Sequence, residues 1–200
     1  MSLPASAAAA PSAAVRRHRF HAPGASPAQA AQAQERLCLL LAQDGSTTRL
    51  CEALAGGPVQ LVLHYQERVA PVPPVVQSLL PGAQFIERCT SLCAQGEVMM
   101  DNLTYVALDR LSSELREGLA AGTLPIGHLL ATLWVRRSAV EAARAAPLYE
   151  RLWQHVGLAD APASRAYTIY SEQGPLFLIA ETYRGGMRRH GTGGPAGSAA

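Results

Sequence analysis

The 200-residue chain contains no lysine: all 17 basic residues are arginine, set against 15 acidic ones, for a formal charge of +2. So small a surplus leaves no electrostatic footprint for nucleic acid, and no such partner is expected. No apolar run approaches the roughly 20 residues of a membrane span. The longest candidate, Leu124–Val135, is interrupted by His128. The N-terminus lacks the order of a secretory signal, because Arg16, Arg17 and Arg19 follow its alanine-rich stretch instead of preceding it. A cytoplasmic protein without membrane contact is expected. Cysteine is scarce: Cys38, Cys51, Cys89 and Cys93 form no CxxC knuckle and have no histidine pair beside them. No metal site follows, and buried free thiols are expected. A Walker loop, a GxGxxG after a strand, HExxH and GxSxG are all absent, so nucleotide, zinc-protease and triad-hydrolase readings lose their usual support. No cofactor is implied.

What is present is apolar: 48% of the residues are hydrophobic, enough for one domain with a real core. Residues 1–25 are mostly alanine, serine and proline and are read as a disordered tail; residues 186–200 are read as a second one. The domain is placed at 26–185. Ser26-Pro27-Ala28-Gln29 announces a helix to about Ala42, and Ser46 a short one to Leu54. Residues 59–70 alternate as a strand, with Val59, Leu61, Leu63 and Tyr65 on one face. Residues 83–108 read as two strands turning at Ala94–Glu97. A helix capped by Asp109 follows, then a turn and short helix at "TLPIGHLLATL". "WVRRSAVEAARA" fits strand or helix equally, and Leu148, Leu152 and Val156 have helical spacing. Residues 164–184 read as a hairpin turning at Glu172–Pro175. Strand pairs separated by helices imply an α+β fold: an antiparallel β-sheet with helices closing over it.

Two charges interrupt apolar strands. Glu181 ends the run Leu176–Ala180 and shares a strand face with Phe177, Ile179 and Tyr183; Arg88 shares one with Ile86, Thr90 and Leu92. A buried unpaired charge is costly, so each needs a partner. They could pair with each other, reach solvent at the sheet end, or face a pocket.

Several motifs, in order, resemble the chorismate pyruvate-lyase family, in its actinobacterial and cyanobacterial branch: "DGSTTR" (44–49), Arg88 and Gly96 with seven residues between them, "ALDRLS" (107–112), "LPIG" (124–127) and "GPLFLIAE" (174–181). The resemblance implies a buried ligand pocket under the helices and a cofactor-independent carbon–oxygen lyase. Such an enzyme eliminates pyruvate from chorismate to give 4-hydroxybenzoate, with antibiotic biosynthesis as the expected setting. By the same resemblance Arg88 would hold the ring carboxylate and Glu181 would stand near the C4 hydroxyl, as the catalytic pair. Turns at Ser46 and at Ile126 and Gly127 would face the substrate. The family's R-x-Y-R pattern maps onto Arg165, Tyr167 and Thr168, with threonine in place of the last arginine; Arg136 or Arg137 could compensate. That departure admits an alternative, a cyclase of natural-product biosynthesis acting on a less anionic molecule. A third reading is a small-molecule sensor, since the same fold serves as the effector domain of some transcription regulators. Residues 1–25 are too short for the winged helix those regulators carry.

Overall fold

The computed structural model describes residues 15–189. The tail assignments for residues 1–14 and 190–200 lie outside the described residues. Ser26 starts α1 (Pro27–Ala42) through the expected capping box: its hydroxyl accepts from the Gln29 amide, and the Gln29 side chain accepts from the Ser26 amide. Ser46 caps α2 (Thr47–Ala55), and Gly56 ends it at a φ of 71° that disfavours a side chain. There follow β1 (Gln60–Val69), α3 (Pro74–Leu79), the hairpin β2 (Phe85–Ala94) and β3 (Glu97–Ala107), α4 (Ser113–Ala121) and α5 (Ile126–Leu129). The chain then runs through β4 (Arg136–Val140), α6 (Ala142–Val156), the hairpin β5 (Ser164–Ser171) and β6 (Gly174–Tyr183), and a last turn, α7 (Gly186–Arg189).

All six strands join one antiparallel sheet in the order β1-β2-β3-β6-β5-β4. The expected α+β class, an antiparallel sheet with helices closing over a pocket, is what the chain adopts. One sheet face packs against α3 and α6, where Val76, Leu148, Leu152 and Val156 meet Cys89, Leu103, Tyr105 and Leu178. Removing such side chains from water contributes roughly 1.5–3 kcal/mol each. The other face is covered at one end by α4 and α5, through Leu119 and Leu129 against Phe177 and Ile179, and at the other by α1 and α2, through Leu37, Leu40 and Cys51 against Met100 and Tyr183. The space between these two covers is where a ligand could sit.

One ambiguity resolves and three local expectations change. The ambiguous stretch around residue 136 is a strand, β4, completed by its pairing with β5, and a helix from Ala142 onward. Asp109 does not cap α4; it lies in a 3-10 turn, where its carboxylate accepts from the Ala83 amide, and Ser112 caps the helix instead. The β1 alternation fails at His64. A bulge between Leu63 and Tyr65 shifts the register, so Leu61 stays on the pocket face while the Tyr65 hydroxyl donates to Glu87 on the other. Cys38 is exposed, although the other three cysteines are buried.

The largest change concerns the tails. Residues 15–25 are packed: Phe20 is fully buried beside Met99, Tyr183 and Met187, and its amide donates to Asp160 at 2.7 Å. Arg17 reaches Asp101 at 3.0 Å and Ser91 at 3.1 Å, and Arg184 meets the same Asp101 at 2.6 Å. Residues 186–189 are helical, with Met187 buried. Composition read this arm as a tail because one phenylalanine amid arginines, histidines and small residues carries little periodic signal. Long-range partners on β2, β3 and β6 hold it.

Candidate functional site

Strand register gathers the site. Thr90 pairs with Asn102, and Asn102 with Glu181; Arg88 pairs with Thr104, and Thr104 with Ile179. Because alternate residues share a face, Arg88, Thr90, Asn102, Ile179, Glu181, Tyr167 and Ile169 look the same way. They line one cavity of about 40 Å³. Its roof is α2 and α5: Ser46, Thr47, Thr48, Pro125, Ile126 and Gly127 also line it, and so does Arg137 from β4. Gly127 permits the close approach of the two helices. A Cβ there would lie 2.5 Å from the Thr48 hydroxyl oxygen and 2.7 Å from that of Ser46.

Of the residues singled out in the sequence, Ser46, Arg88, Ile126, Gly127, Tyr167 and Glu181 come together around this cavity. Arg165 stands behind it, holding Glu181. Thr168 does not belong there. It pairs with Leu178 and lies one residue out of phase with Tyr167, on the opposite face of the sheet, where its hydroxyl is buried with no partner. A missing cation at residue 168 therefore says nothing about the pocket. Arg137 reaches it instead: its Nη1 donates to the Asp44 carbonyl at 2.9 Å, its guanidinium lies 5.9 Å from the Tyr167 ring centroid, and its buried Nε has no partner. Arg136, one residue away, stacks on Tyr170. Thr90 and Asn102, which sequence reading did not select, lie on the same strand faces as Arg88 and Glu181. Alternation along β2 already put Thr90 beside Arg88; for Asn102 the signal was a cross-strand register that a single strand does not show.

The two charges meet different fates, and neither pairs with the other. Glu181 is fully buried, and its carboxylate accepts from Arg165 Nε at 2.6 Å, Thr47 at 3.2 Å and the Tyr167 hydroxyl at 3.0 Å; the Tyr183 hydroxyl lies 3.0 Å away. Arg165 also donates to the carbonyls of Leu41 and Gln43. Burial works against the Arg165 charge, yet Glu181 and the tyrosines beside it raise that guanidinium above its ordinary value. Burial, with the Glu181 charge, likewise pushes the Tyr167 and Tyr183 hydroxyls up, so both stay protonated as donors. Oε1 accepts from Arg165 and Thr47 and shares the Tyr183 hydroxyl with the Leu40 carbonyl, which lies 2.9 Å from it, while Oε2 accepts from the Tyr167 hydroxyl. Arg88 is equally buried, but only Nη2 is engaged, by the Leu124 carbonyl at 2.9 Å and more weakly by that of Gly122 at 3.4 Å. Its Nε and Nη1 have no partner, and among the described residues no carboxylate pairs with it. Burial lowers this guanidinium to about 10, which leaves it charged at neutral pH.

Among the described residues no group of three or more His, Cys, Asp or Glu side chains could hold a metal ion, and no helix is long and apolar enough to cross a membrane. No family model matches the chain, and no curated protein matches it. Solved structures do. The effector domain of PhnF from Mycobacterium smegmatis superposes with a TM-score of 0.46 at 18% identity, covering 70% of this chain and 89% of that one. PhnF itself gives 0.44 at 17%, covering 80% and 81%. The C-terminal domain of the histidine utilization repressor from Pseudomonas syringae gives 0.42 at 13%, covering 70% and 99%. At such identities the likeness is one of fold.

These findings correct the sequence reading. Nothing at the level of sequence ties the chain to the chorismate pyruvate-lyase family, and the structures it resembles are described as regulator domains, not lyases. The carbon–oxygen lyase, chorismate, 4-hydroxybenzoate and antibiotic biosynthesis all fall with that resemblance. The motifs behind it have local explanations. "DGSTTR" holds the Ser46 cap of α2, and "LPIG" holds the turn that opens α5. Helix starts of this kind recur wherever a turn must satisfy free amides.

Proposed function

We propose that this domain binds a small organic acid and holds it unchanged, as a ligand-sensing domain. The observation that carries this reading is Arg88, a fully buried guanidinium with two unpartnered nitrogens at a cavity. A buried cation without an anion is costly, and an acid that docks there removes that cost through charge-assisted, often paired, hydrogen bonds. The N-terminus of α2, with the hydroxyls of Ser46 and Thr48, adds partial positive charge to the same space. Glu181 argues against turnover. General acid–base catalysis needs a group free to exchange a proton with the ligand, and the donors around Glu181 come from the protein itself.

The test is ligand-dependent stability. A panel of mono- and dicarboxylic acids at millimolar concentration should raise the melting temperature of the wild-type protein. It should leave Arg88→Met unmoved, and NMR should recover each acid unchanged after incubation. An absence of stabilisation, stabilisation that persists in Arg88→Met, or consumption of an acid would sink the reading.

A further inference from the structure

The cavity's charge is not balanced. Three charged side chains line it, Arg88, Arg137 and Glu181. Glu181 is matched by Arg165 at 2.6 Å just behind it. That leaves two guanidiniums facing the cavity, and among the described residues no salt bridge reaches either. Each has at least one buried nitrogen without a partner: Nε and Nη1 of Arg88, and Nε of Arg137.

The two arginines also approach from opposite sides. Arg88 stands on β2 and Arg137 on β4, and the sheet order places β3, β6 and β5 between them. Four strand spacings separate their backbones by roughly 19 Å along the sheet. One wall supplies Arg88 from beneath the Gly122–Leu124 loop; the other supplies Arg137, braced by the Asp44 carbonyl and the Tyr167 ring. Between them the lining mixes Leu92, Met100, Ile169 and Ile179 with Thr90, Asn102, Tyr167 and Glu181, whose charge Arg165 answers. Two cations on opposite walls of one cavity suit a molecule with an acid at each end better than one compact anion.

Resting on the acid-binding reading above, we infer that the ligand is a short dianion with its two acidic groups at opposite ends. One is held by Arg88, and the other by Arg137, which sets specificity for the second charge. Arg137 is half-buried and tied to the protein by a single hydrogen bond and a ring contact. Its planar fork can take a carboxylate in two parallel bonds, which a lysine cannot.

The experiment is isothermal titration of the wild-type chain, Arg137→Met, Arg137→Lys and Arg88→Met with butyrate, glutarate and inorganic phosphate, each variant first shown by its melting curve to be folded. Glutarate should bind wild type at least tenfold more tightly than butyrate. Arg137→Met should erase that preference, lowering glutarate affinity tenfold or more and butyrate affinity less than threefold, and Arg137→Lys should restore part of it. Arg88→Met should weaken both acids. Equal binding of butyrate and glutarate by wild type, or an unchanged preference in Arg137→Met, overturns the two-ended ligand and leaves the acid-binding reading intact. Phosphate binding more tightly than glutarate would place both charges on one group and also overturn it. If neither organic acid binds wild type, the acid-binding reading fails and this inference fails with it.

Discussion

Arg88 and Glu181 lie on the same face of one sheet, equally hidden from water, and the protein treats them in opposite ways. Glu181 is surrounded by a guanidinium and hydroxyls from α2, β5 and β6; Arg88 is left with two loop carbonyls and two idle nitrogens. The first arrangement is structural. It ties α1 and α2 to the sheet, because Arg165 also binds the Leu41 and Gln43 carbonyls that end α1. The second is what the proposed acid would complete. A buried charge by itself therefore does not mark function; the proposal rests on the unanswered hydrogen-bonding capacity around it.

The comparison can be broken most forcefully at Glu181. Alanine there leaves Arg165 buried without its anion, and removing one partner of such a pair costs about 3–5 kcal/mol. The urea midpoint should fall accordingly; a loss below about 1 kcal/mol would mean that Glu181 is not the structural member. Gly127→Ala acts on the roof between the two residues. With a Cβ forced to 2.5 Å from Thr48, α5 must move away from α2, at a cost of about 1–3 kcal/mol. Acid stabilisation should weaken in the same variant, and an unaltered melting curve would show that the helices part easily.

Arg88→Met should behave in the opposite sense to Glu181→Ala. It removes a buried cation that the protein does not satisfy and replaces it with an apolar chain of similar length. Stability should stay within about 1 kcal/mol of wild type, or rise. A loss as large as that of Glu181→Ala would show that the two loop carbonyls make Arg88 a structural residue after all.

Glu87, a buried carboxylate on the far face, supplies a control by pH. Burial raises its pKa, but hydrogen bonds from Arg151 and Tyr65 outweigh that, and the folded value lies below the ordinary 4.5. A depressed carboxylate contributes stability that is complete above its unfolded pKa and is lost as pH falls through its folded one. Urea midpoints should thus hold steady down to about pH 4.5 and decline below it, and Glu87→Gln should flatten part of the decline.

Much of the frame was legible in order of residues. Ser26 with Pro27 and Gln29 reports a helix start that the structure reproduces bond for bond, and the hairpins 85–107 and 164–183 follow from alternation broken at short turns. The candidate site was half legible. Arg88 and Glu181 stood out because charge is rare inside apolar strands. Thr90 and Asn102 did not, because polar residues on strands are common; Arg137 entered only beside Arg136 as a substitute for a motif arginine, since β4 is too short to show a period. Thr168 was misread because a motif was followed where strand parity already placed it across the sheet from Tyr167.

By itself the sequence determined the local elements and the presence of two charges in apolar strands, since capping, turn chemistry and periodicity act over a few residues. Tertiary structure decided which charge is satisfied. Arg165 reaches Glu181 only because β5 pairs with β6, the hydroxyl of Thr47 arrives only because α2 folds over the sheet, and nothing equivalent folds over Arg88. Those partners come from residues up to 134 positions away in the chain. Their meeting depends on strand order and helix packing, which no local pattern encodes.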